Sequence, residues 1–151
     1  MNANRPIRDI MSTSIVTVAP DTSILHIKEI LDKQKFHHIP VVENGGVLSG
    51  IITKTDILRF AFHLSLRSTG PTWMKKALQA ATAKDIMTKN PLVLEPEDTV
   101  GLAADIFLAN KFHALPIVED DILVGIITTH DLLMYEFGPL APMSEQETEY
   151  L

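Results

Sequence analysis

The chain of 151 residues contains no cysteine, which excludes disulfide bonds and thiolate metal ligands. It has neither an apolar run of the roughly 18–20 residues needed to cross a bilayer nor a leader of the secretory type at its start. We therefore expect a cytoplasmic protein without a membrane span. The formal net charge is −6, and no basic stripe of the kind that neutralises nucleic-acid phosphates is visible. This balance argues against a nucleic-acid partner, but it still allows a small anionic ligand.

Recognised catalytic patterns are missing as well. The sequence has no GxSxG, Walker or GxGxxG motif, no HExxH and no cysteine nucleophile. None of the six histidines falls at a recognised metal-ligand spacing. The acidic run 119–121 lies at a predicted hairpin turn, where a solvated turn is a simpler interpretation than a metal cluster. We expect no enzymatic activity, no metal and no obligatory cofactor.

What the chain does have is an internal repeat. Residues 7–58 and 83–133 carry three strings in the same order: Asp-Ile-Met, Phe-His-x-φ-Pro-φ-Val-Glu and Gly-Ile-Ile-Thr-x-x-Asp, where φ is aliphatic. The first copy has one extra residue near Gly45, because the offset between matching positions shortens after the turn. A repeat of this kind predicts two similar units that bury their apolar faces by packing on each other.

Each copy predicts the order β-α-β-β-α from its apolar periodicity and turn residues. The first strands are predicted over residues 15–18 and 92–94, and the last helices begin near Thr53 and Thr128. We expect an α/β (α+β) fold in which two β-α-β-β-α repeats pack through their sheets with pseudo-two-fold symmetry around one shared core.

The domain boundaries follow from the repeat and from breaks in periodicity. Repeat 1 is expected over residues 5–66, and repeat 2 over residues 83–137. Between them, residues 67–82 form a linker with a short helix. The acidic tail, residues 138–151, contains two prolines and is expected to be mobile.

Thr53 and Asp56 in the first copy, and Thr128 and Asp131 in the second, end the shared string Gly-Ile-Ile-Thr-x-x-Asp. At a strand-to-helix junction, backbone N–H groups and the helix dipole favour phosphate, and an aspartate can accept the hydroxyl groups of a ribose. The same spacing is that of a capping box, in which Thr and Asp satisfy each other's backbone N–H groups. The sequence leaves both roles open, and they do not exclude each other.

The second shared string places a proline inside a strand. Ile39-Pro40 and Leu115-Pro116 follow the Phe-His pair, and proline interrupts sheet pairing because it has no backbone donor. This favours an apolar slot suited to a purine ring, although a plain buried edge strand has the same composition. His38, Lys54 and His130 are candidate phosphate contacts without a counterpart in the other copy, although such residues are more often simply solvated. We therefore expect two unequal sites.

Together, the three duplicated strings resemble a tandem cystathionine-beta-synthase (CBS) domain pair, also called a Bateman module, over about residues 5–135. The resemblance implies a free-standing regulatory module with two clefts between the copies, which bind AMP, ADP, ATP or S-adenosylmethionine. It also implies that Asp56 and Asp131 hold ribose hydroxyl groups, with Thr53 and Thr128 near ribose or phosphate. The residues that it places around the base or at the cleft entrance are Ile15, Val16, Ile39, Pro40, Pro91, Leu115 and Pro116.

The functional hypothesis is therefore a sensor of an adenosine-containing ligand that forms a homodimer and signals by conformational change. Since the resemblance covers nearly the whole chain, any regulated effector is expected to be a separate protein. The alternative is a ligand-free module for dimerisation and protein interaction, in which the Thr-x-x-Asp strings only cap helices.

Overall fold

The computed structural model describes residues 2–67, 70–110 and 112–138. Besides two short 3-10 helices, Ile7–Asp9 and Asn44–Gly46, the helices and strands in these ranges are, in chain order, α1 (Ile24–Lys33), β1 (His38–Val42), β2 (Leu48–Thr53), α2 (Lys54–Ser65), α3 (Pro71–Ala80), α4 (Ala83–Ile86), β3 (Thr88–Lys89), α5 (Val100–Ala109), β4 (Ala114–Glu119), β5 (Ile122–Thr128) and α6 (Thr129–Phe137). No helix in the described ranges is both long and apolar enough to cross a bilayer. The tail that was predicted to be mobile lies outside the described residues from position 139 onward.

An antiparallel hairpin forms the centre of each copy, as the sequence predicts. β1 pairs with β2, with Ile39 opposite Ile52, and β4 pairs with β5 in the equivalent register. The first hairpin turns at Gly45-Gly46 and the second at Asp120-Asp121, and all four residues have positive φ angles. Left-handed backbone is what tight hairpin turns require, and Gly and Asp adopt it more readily than most residues.

The first strand predicted in the first copy is wrong. Of residues 15–18, only Val18 pairs with β1: its N–H donates to the Pro40 carbonyl at 3.1 Å, and its carbonyl accepts from the Val42 N–H at 2.9 Å. The next bond of a parallel ladder would run from the residue-40 N–H to the Val16 carbonyl. Proline has no N–H to donate, so the ladder stops after one bridge.

The second copy repeats this arrangement. Leu94 donates to the Pro116 carbonyl at 3.1 Å and accepts from Val118 at 2.9 Å, whereas the rest of the strand predicted over 92–94 is not formed. In both copies, therefore, this segment is bonded to the central hairpin at a single residue and not along its length.

The apolar interior divides into two clusters, not one shared core as expected. Each cluster is completed by a short segment from the other copy. Ile7, before the first repeat's own hairpin, is fully buried in the cluster of the second copy, and its N–H donates to the Asp98 carbonyl at 2.8 Å. Ala83 is fully buried in the cluster of the first copy, and its N–H donates to the Thr22 carbonyl at 2.9 Å. The two copies are thus interlocked at their starts.

The duplicated Met and Gly residues contact each other across the copies. A Cβ atom added to Gly50 would lie 2.6 Å from the Met87 Sδ atom, and one added to Gly125 would lie 2.5 Å from the Met11 Sδ atom. Each methionine of an Asp-Ile-Met string therefore packs on the glycine of the other copy's Gly-Ile-Ile-Thr string. This reciprocal contact explains why the two strings are duplicated together.

Candidate functional site

A cleft of about 360 Å³, which we name cleft A, opens where the two copies meet. Its wall combines residues 14–16 and 35–38 of the first copy with residues 128–131 of the second, together with His113. The unpaired first segment, the approach to β1 and the start of α6 thus converge on one space. Neither copy could form this cleft alone.

The related cleft B has a volume of about 920 Å³. In this cleft the two copies contribute the opposite parts of the wall. Residues 90–92 and 112–116 come from the second copy, and residues 53–56, at the start of α2, come from the first. Arg59 and His38 of the first copy also line it. The clefts are therefore related by the pseudo-two-fold symmetry of the repeats, but they differ in size and in lining.

The Thr-x-x-Asp residues stand at the helix start in both clefts, and both pairs form complete capping boxes. The Thr53 N–H donates to Asp56 Oδ2 at 2.9 Å, and the Asp56 N–H donates to Thr53 Oγ1 at 3.1 Å. The corresponding distances for Thr128 and Asp131 are 2.8 and 3.1 Å. The structural role that the sequence left open is therefore real.

Capping does not use up the carboxylate. An ionised carboxylate offers about four acceptor positions on two oxygens, and the cap of α2 takes one of them on Oδ2. The Asp56 side chain remains 20% exposed, and its Oδ1 atom lies 4.0 Å from an Arg59 nitrogen. The cap fixes the rotamer of the side chain, so the second oxygen is a preorganised acceptor on the wall of cleft B.

A third capping carboxylate lies away from both clefts. The Thr82 N–H donates to Asp85 Oδ2 at 2.8 Å at the start of α4. Asp85 is absent from the walls of clefts A and B. It therefore provides an internal comparison for a capping aspartate without a cleft.

Three imidazoles form the boundary between the clefts. His37, His38 and His113 line both of them, and we name this group the seam. The pKa of His38 is lowered from its ordinary value, chiefly because burial disfavours the charged ring, and further because His113 and His37 stand near it. The Asp56 carboxylate acts in the opposite direction. The described residues contain no group of three or more His, Asp or Glu side chains arranged to hold a metal ion.

Most of the residues predicted for the sites do line a cleft. Cleft A contains Ile15, Val16, His38, Thr128, His130 and Asp131, and cleft B contains His38, Thr53, Lys54, Asp56, Pro91, Leu115 and Pro116. Ile39 and Pro40 do not belong to the wall of cleft A in the described part of the chain; both are fully buried. Their role beside a base stays a prediction.

Several residues on the cleft walls were not predicted as site residues. His37 and His113 line both clefts, and their repetition in the Phe-His string was the available signal. Lys35, on the wall of cleft A, and Thr88, on that of cleft B, carried no signal, because the fold alone brings them there.

A comparison with protein-family models gives one match, described as CBS domain, over residues 7–63 and 83–138. A CBS domain-containing protein of Dictyostelium discoideum is 30% identical over 141 residues, which cover 93% of this chain and 97% of the relative. An inosine-5'-monophosphate dehydrogenase of Korarchaeum cryptofilum is 31% identical, and the match covers 87% of this chain but 24% of that enzyme. The chain therefore spans only about a quarter of such an enzyme.

Two solved structures with bound ligands have the same fold. The CBS-pair protein CBSX2 of Arabidopsis thaliana, determined in complex with AMP, is 26% identical with a TM-score of 0.73, covering 87% of this chain and 95% of that one. The CBS domain pair of protein MJ0100, in complex with 5'-methylthioadenosine and S-adenosyl-L-methionine, is 28% identical with a TM-score of 0.70, covering 89% and 97%.

Proposed function

Since the chain belongs to the CBS domain family, we propose that it is a regulatory module that binds an adenosine-containing ligand in clefts A and B. The candidate ligands are AMP, ADP, ATP and S-adenosylmethionine. Binding changes the relative arrangement of the copies, because a ligand shifts an equilibrium by its different affinity for the two states. A separate effector protein would respond to this change of arrangement. The module itself is not an enzyme, and a cytoplasmic location stays a prediction.

One observation carries the proposal: each cleft contains a capped aspartate with a carboxylate oxygen to spare. Asp56 and Asp131 are held by backbone bonds on the walls of their clefts. Two hydroxyl groups on adjacent carbons, as in a ribose, match an acceptor-only group with two oxygens. Relatives with this fold were solved with AMP and with S-adenosylmethionine, two ligands that share an adenosine.

The ligand-free alternative draws on the same capping boxes. If Thr53 and Thr128 with their aspartates serve only to begin helices, the clefts need hold nothing. A cap contributes about 0.5–2 kcal/mol to stability, which is sufficient reason to retain one. The two functions therefore differ in whether the carboxylate acts on a ligand, and not in whether it caps.

Asparagine variants separate the two roles. In Asp56→Asn and Asp131→Asn, the amide oxygen can still accept the N-cap N–H, but the second acceptor oxygen is replaced by a donor. We expect each variant to lose binding at its own cleft by roughly tenfold or more, equivalent to about 1.4 kcal/mol. Isothermal titration calorimetry with the four candidate ligands measures this loss, and urea unfolding reports the stability.

Asp85→Asn is the matched control, since it alters a capping carboxylate outside both clefts. It should leave ligand affinity unchanged. No heat from any of the four ligands with the wild-type protein would contradict the proposal and favour the ligand-free module. Binding that is unaffected in both cleft variants would remove the carboxylates from the site.

We also propose a homodimer that forms through α2 and α6. Phe62 on α2 and Phe137 on α6 occupy equivalent positions and are 61% and 79% exposed, and Leu58 and Leu133, one turn earlier, are exposed as well. Because of the internal symmetry, an exposed Leu and Phe pair is present on both α2 and α6. A second copy of the chain carries the matching surface, which is what a two-fold interface requires.

Sedimentation of the double variant Phe62→Glu/Phe137→Glu tests this surface. The wild-type protein should sediment as a dimer at micromolar concentration, and the variant as a monomer, because each glutamate would be desolvated in the interface. Leu108→Glu changes an exposed leucine on α5 and should leave the dimer intact. A monomeric wild-type protein would contradict the assignment.

A further inference from the structure

The two halves of the molecule carry charge of opposite sign. The first apolar cluster and the segments that complete it span residues 13–89, which we name the first lobe, and the second lobe comprises residues 2–12 and 90–138. By sequence, the first lobe has ten Lys and Arg against six Asp and Glu, a formal charge of +4. The second lobe has three against ten, a formal charge of −7. The net charge of the whole chain therefore hides a strong division between its lobes.

The same division is present on the two helices that carry the exposed Leu and Phe pairs. α2 contains Lys54 and Arg59 against Asp56, a formal charge of +1. α6 contains Asp131 and Glu136 with neither Lys nor Arg, a formal charge of −2. Equivalent helices of the two copies therefore present similar apolar surfaces with charge of opposite sign.

One charge on each helix lies beside the apolar pair. Arg59 lies three residues before Phe62, and its side chain is 66% exposed. Glu136 lies three residues after Leu133 and is exposed as well. Residues three apart on a helix are neighbours on its surface, so each charge borders the apolar surface of its own helix. Charges at the rim of an interface decide mainly which surfaces can approach each other.

A two-fold dimer through these helices can form in two orientations. In a head-to-head dimer α2 contacts α2 of the second copy and α6 contacts α6, which opposes like charges. In a head-to-tail dimer α2 of each copy contacts α6 of the other, which opposes unlike charges. We propose that the chain pairs head-to-tail. This inference rests on the homodimer proposed above and specifies how its two copies are oriented.

The orientation determines which clefts are neighbours in the dimer. α2 begins on the wall of cleft B, and α6 begins on the wall of cleft A. A head-to-tail dimer therefore brings cleft B of each copy toward cleft A of the other. The two unequal clefts are then adjacent across the interface, whereas a head-to-head dimer would bring identical clefts together.

Chemical cross-linking tests the orientation, because the chain contains no cysteine and a single introduced thiol reacts alone. Leu58 and Leu133 occupy equivalent positions and are 59% and 58% exposed. Leu58→Cys and Leu133→Cys are mixed, left to exchange subunits and treated with a short bismaleimide. We expect covalent dimers from the mixture and few from either variant alone, since position 58 then faces position 133 of the second copy.

Leu108→Cys is the matched control, since it places a thiol at an exposed leucine of α5. Its mixture with Leu133→Cys should give few covalent dimers. If each single variant cross-linked as readily as the mixture, the head-to-tail orientation would be overturned, while the homodimer and its ligand binding would still stand. A dimeric wild-type protein without cross-links in any combination would also overturn the orientation. A monomeric wild-type protein would overturn both the orientation and the homodimer.

A charge reversal gives a second readout whose sign depends on the orientation. Glu136→Arg removes the negative charge of α6, so it should weaken a head-to-tail dimer by about three- to tenfold and would strengthen a head-to-head one. Raising NaCl from about 0.05 to about 0.5 M should also weaken the wild-type dimer, because salt screens the attraction. Glu29→Arg makes the same change on the exposed side of α1 and should alter the dissociation constant little. A tighter dimer in Glu136→Arg, measured by sedimentation, would overturn the inference.

Discussion

Clefts A and B contain equivalent helix caps but differ in volume and in several of the side chains around the cap. The two hydrogen bonds between Thr53 and Asp56 agree in length, within 0.1 Å, with those between Thr128 and Asp131. Beside them, cleft B has Lys54 where cleft A has Thr129, and its volume is about 920 Å³ against about 360 Å³. The strand-to-helix junction requires the cap for its own stability. The neighbouring side chains are not needed for the cap, so they can differ between the clefts.

The sheets differ in a second way that bears on stability. β2 is covered by β3, with Gly50 opposite Lys89, whereas β5 has only an isolated bridge from Ser12 to Ile126 in the equivalent place. The same glycine therefore faces different surroundings in the two copies. A methionine side chain packs on the glycine in both copies, and in the first copy the Thr88 carbonyl oxygen is a further close neighbour.

The largest expected difference between the two copies is in the stability lost by Gly50→Ala and by Gly125→Ala. A Cβ atom at position 50 would lie 2.7 Å from the Thr88 carbonyl oxygen, in the backbone of β3, whereas at position 125 its nearest neighbours all belong to the Met11 side chain. Overpacking costs about 1–3 kcal/mol, and a methionine can move aside. We expect a loss of about 2–3 kcal/mol for Gly50→Ala and about 1 kcal/mol for Gly125→Ala, measured by urea unfolding.

Double variants test whether overpacking causes these losses of stability. Adding Met11→Ala to Gly125→Ala should relieve most of the overpacking, so the two changes should be strongly non-additive. Adding Met87→Ala to Gly50→Ala should relieve less, because the Thr88 carbonyl remains in place. Equal losses for the two glycine variants would show that the added strand makes no difference.

Much of the fold could be predicted from the duplicated strings. The hairpins follow from turn residues such as Asn44-Gly45-Gly46 and from apolar strands on either side, and both are present. The helix starts at Thr53 and Thr128 follow from the capping spacing, and both caps are formed. These features are local, since each depends on residues within a few positions of one another.

The remaining features depend on contacts between segments distant in sequence. The predicted first strands failed because Pro40 and Pro116 end the ladder after one bridge, which requires knowing which strand they pair with. The exchange of Ile7 and Ala83 between the clusters leaves no trace in local periodicity. Likewise, only the folded arrangement brings His37 to the same boundary as His113.

The smallest effect is expected when Lys54 and Thr129, which are equivalent residues of the two clefts, are exchanged. Lys54→Thr gives cleft B the residue of cleft A, and Thr129→Lys does the reverse. In an Asp131→Asn background, which leaves cleft B as the competent site, Lys54→Thr should weaken ATP by about fivefold, or ~1 kcal/mol. The loss is modest because a lysine near solvent interacts weakly with an anion, and adenosine should be unaffected.

Thr129→Lys, measured in an Asp56→Asn background so that cleft A is the competent site, should strengthen ATP binding by a similar factor. Calorimetry with ATP and adenosine on the four proteins separates charge from shape. If Lys54→Thr weakened adenosine as much as ATP, the lysine would be shaping the cleft and not attracting phosphate. If neither exchange altered ATP, the inequality of the clefts would lie in their volumes or in the other side chains that differ, such as His130 in cleft A and Arg59 in cleft B.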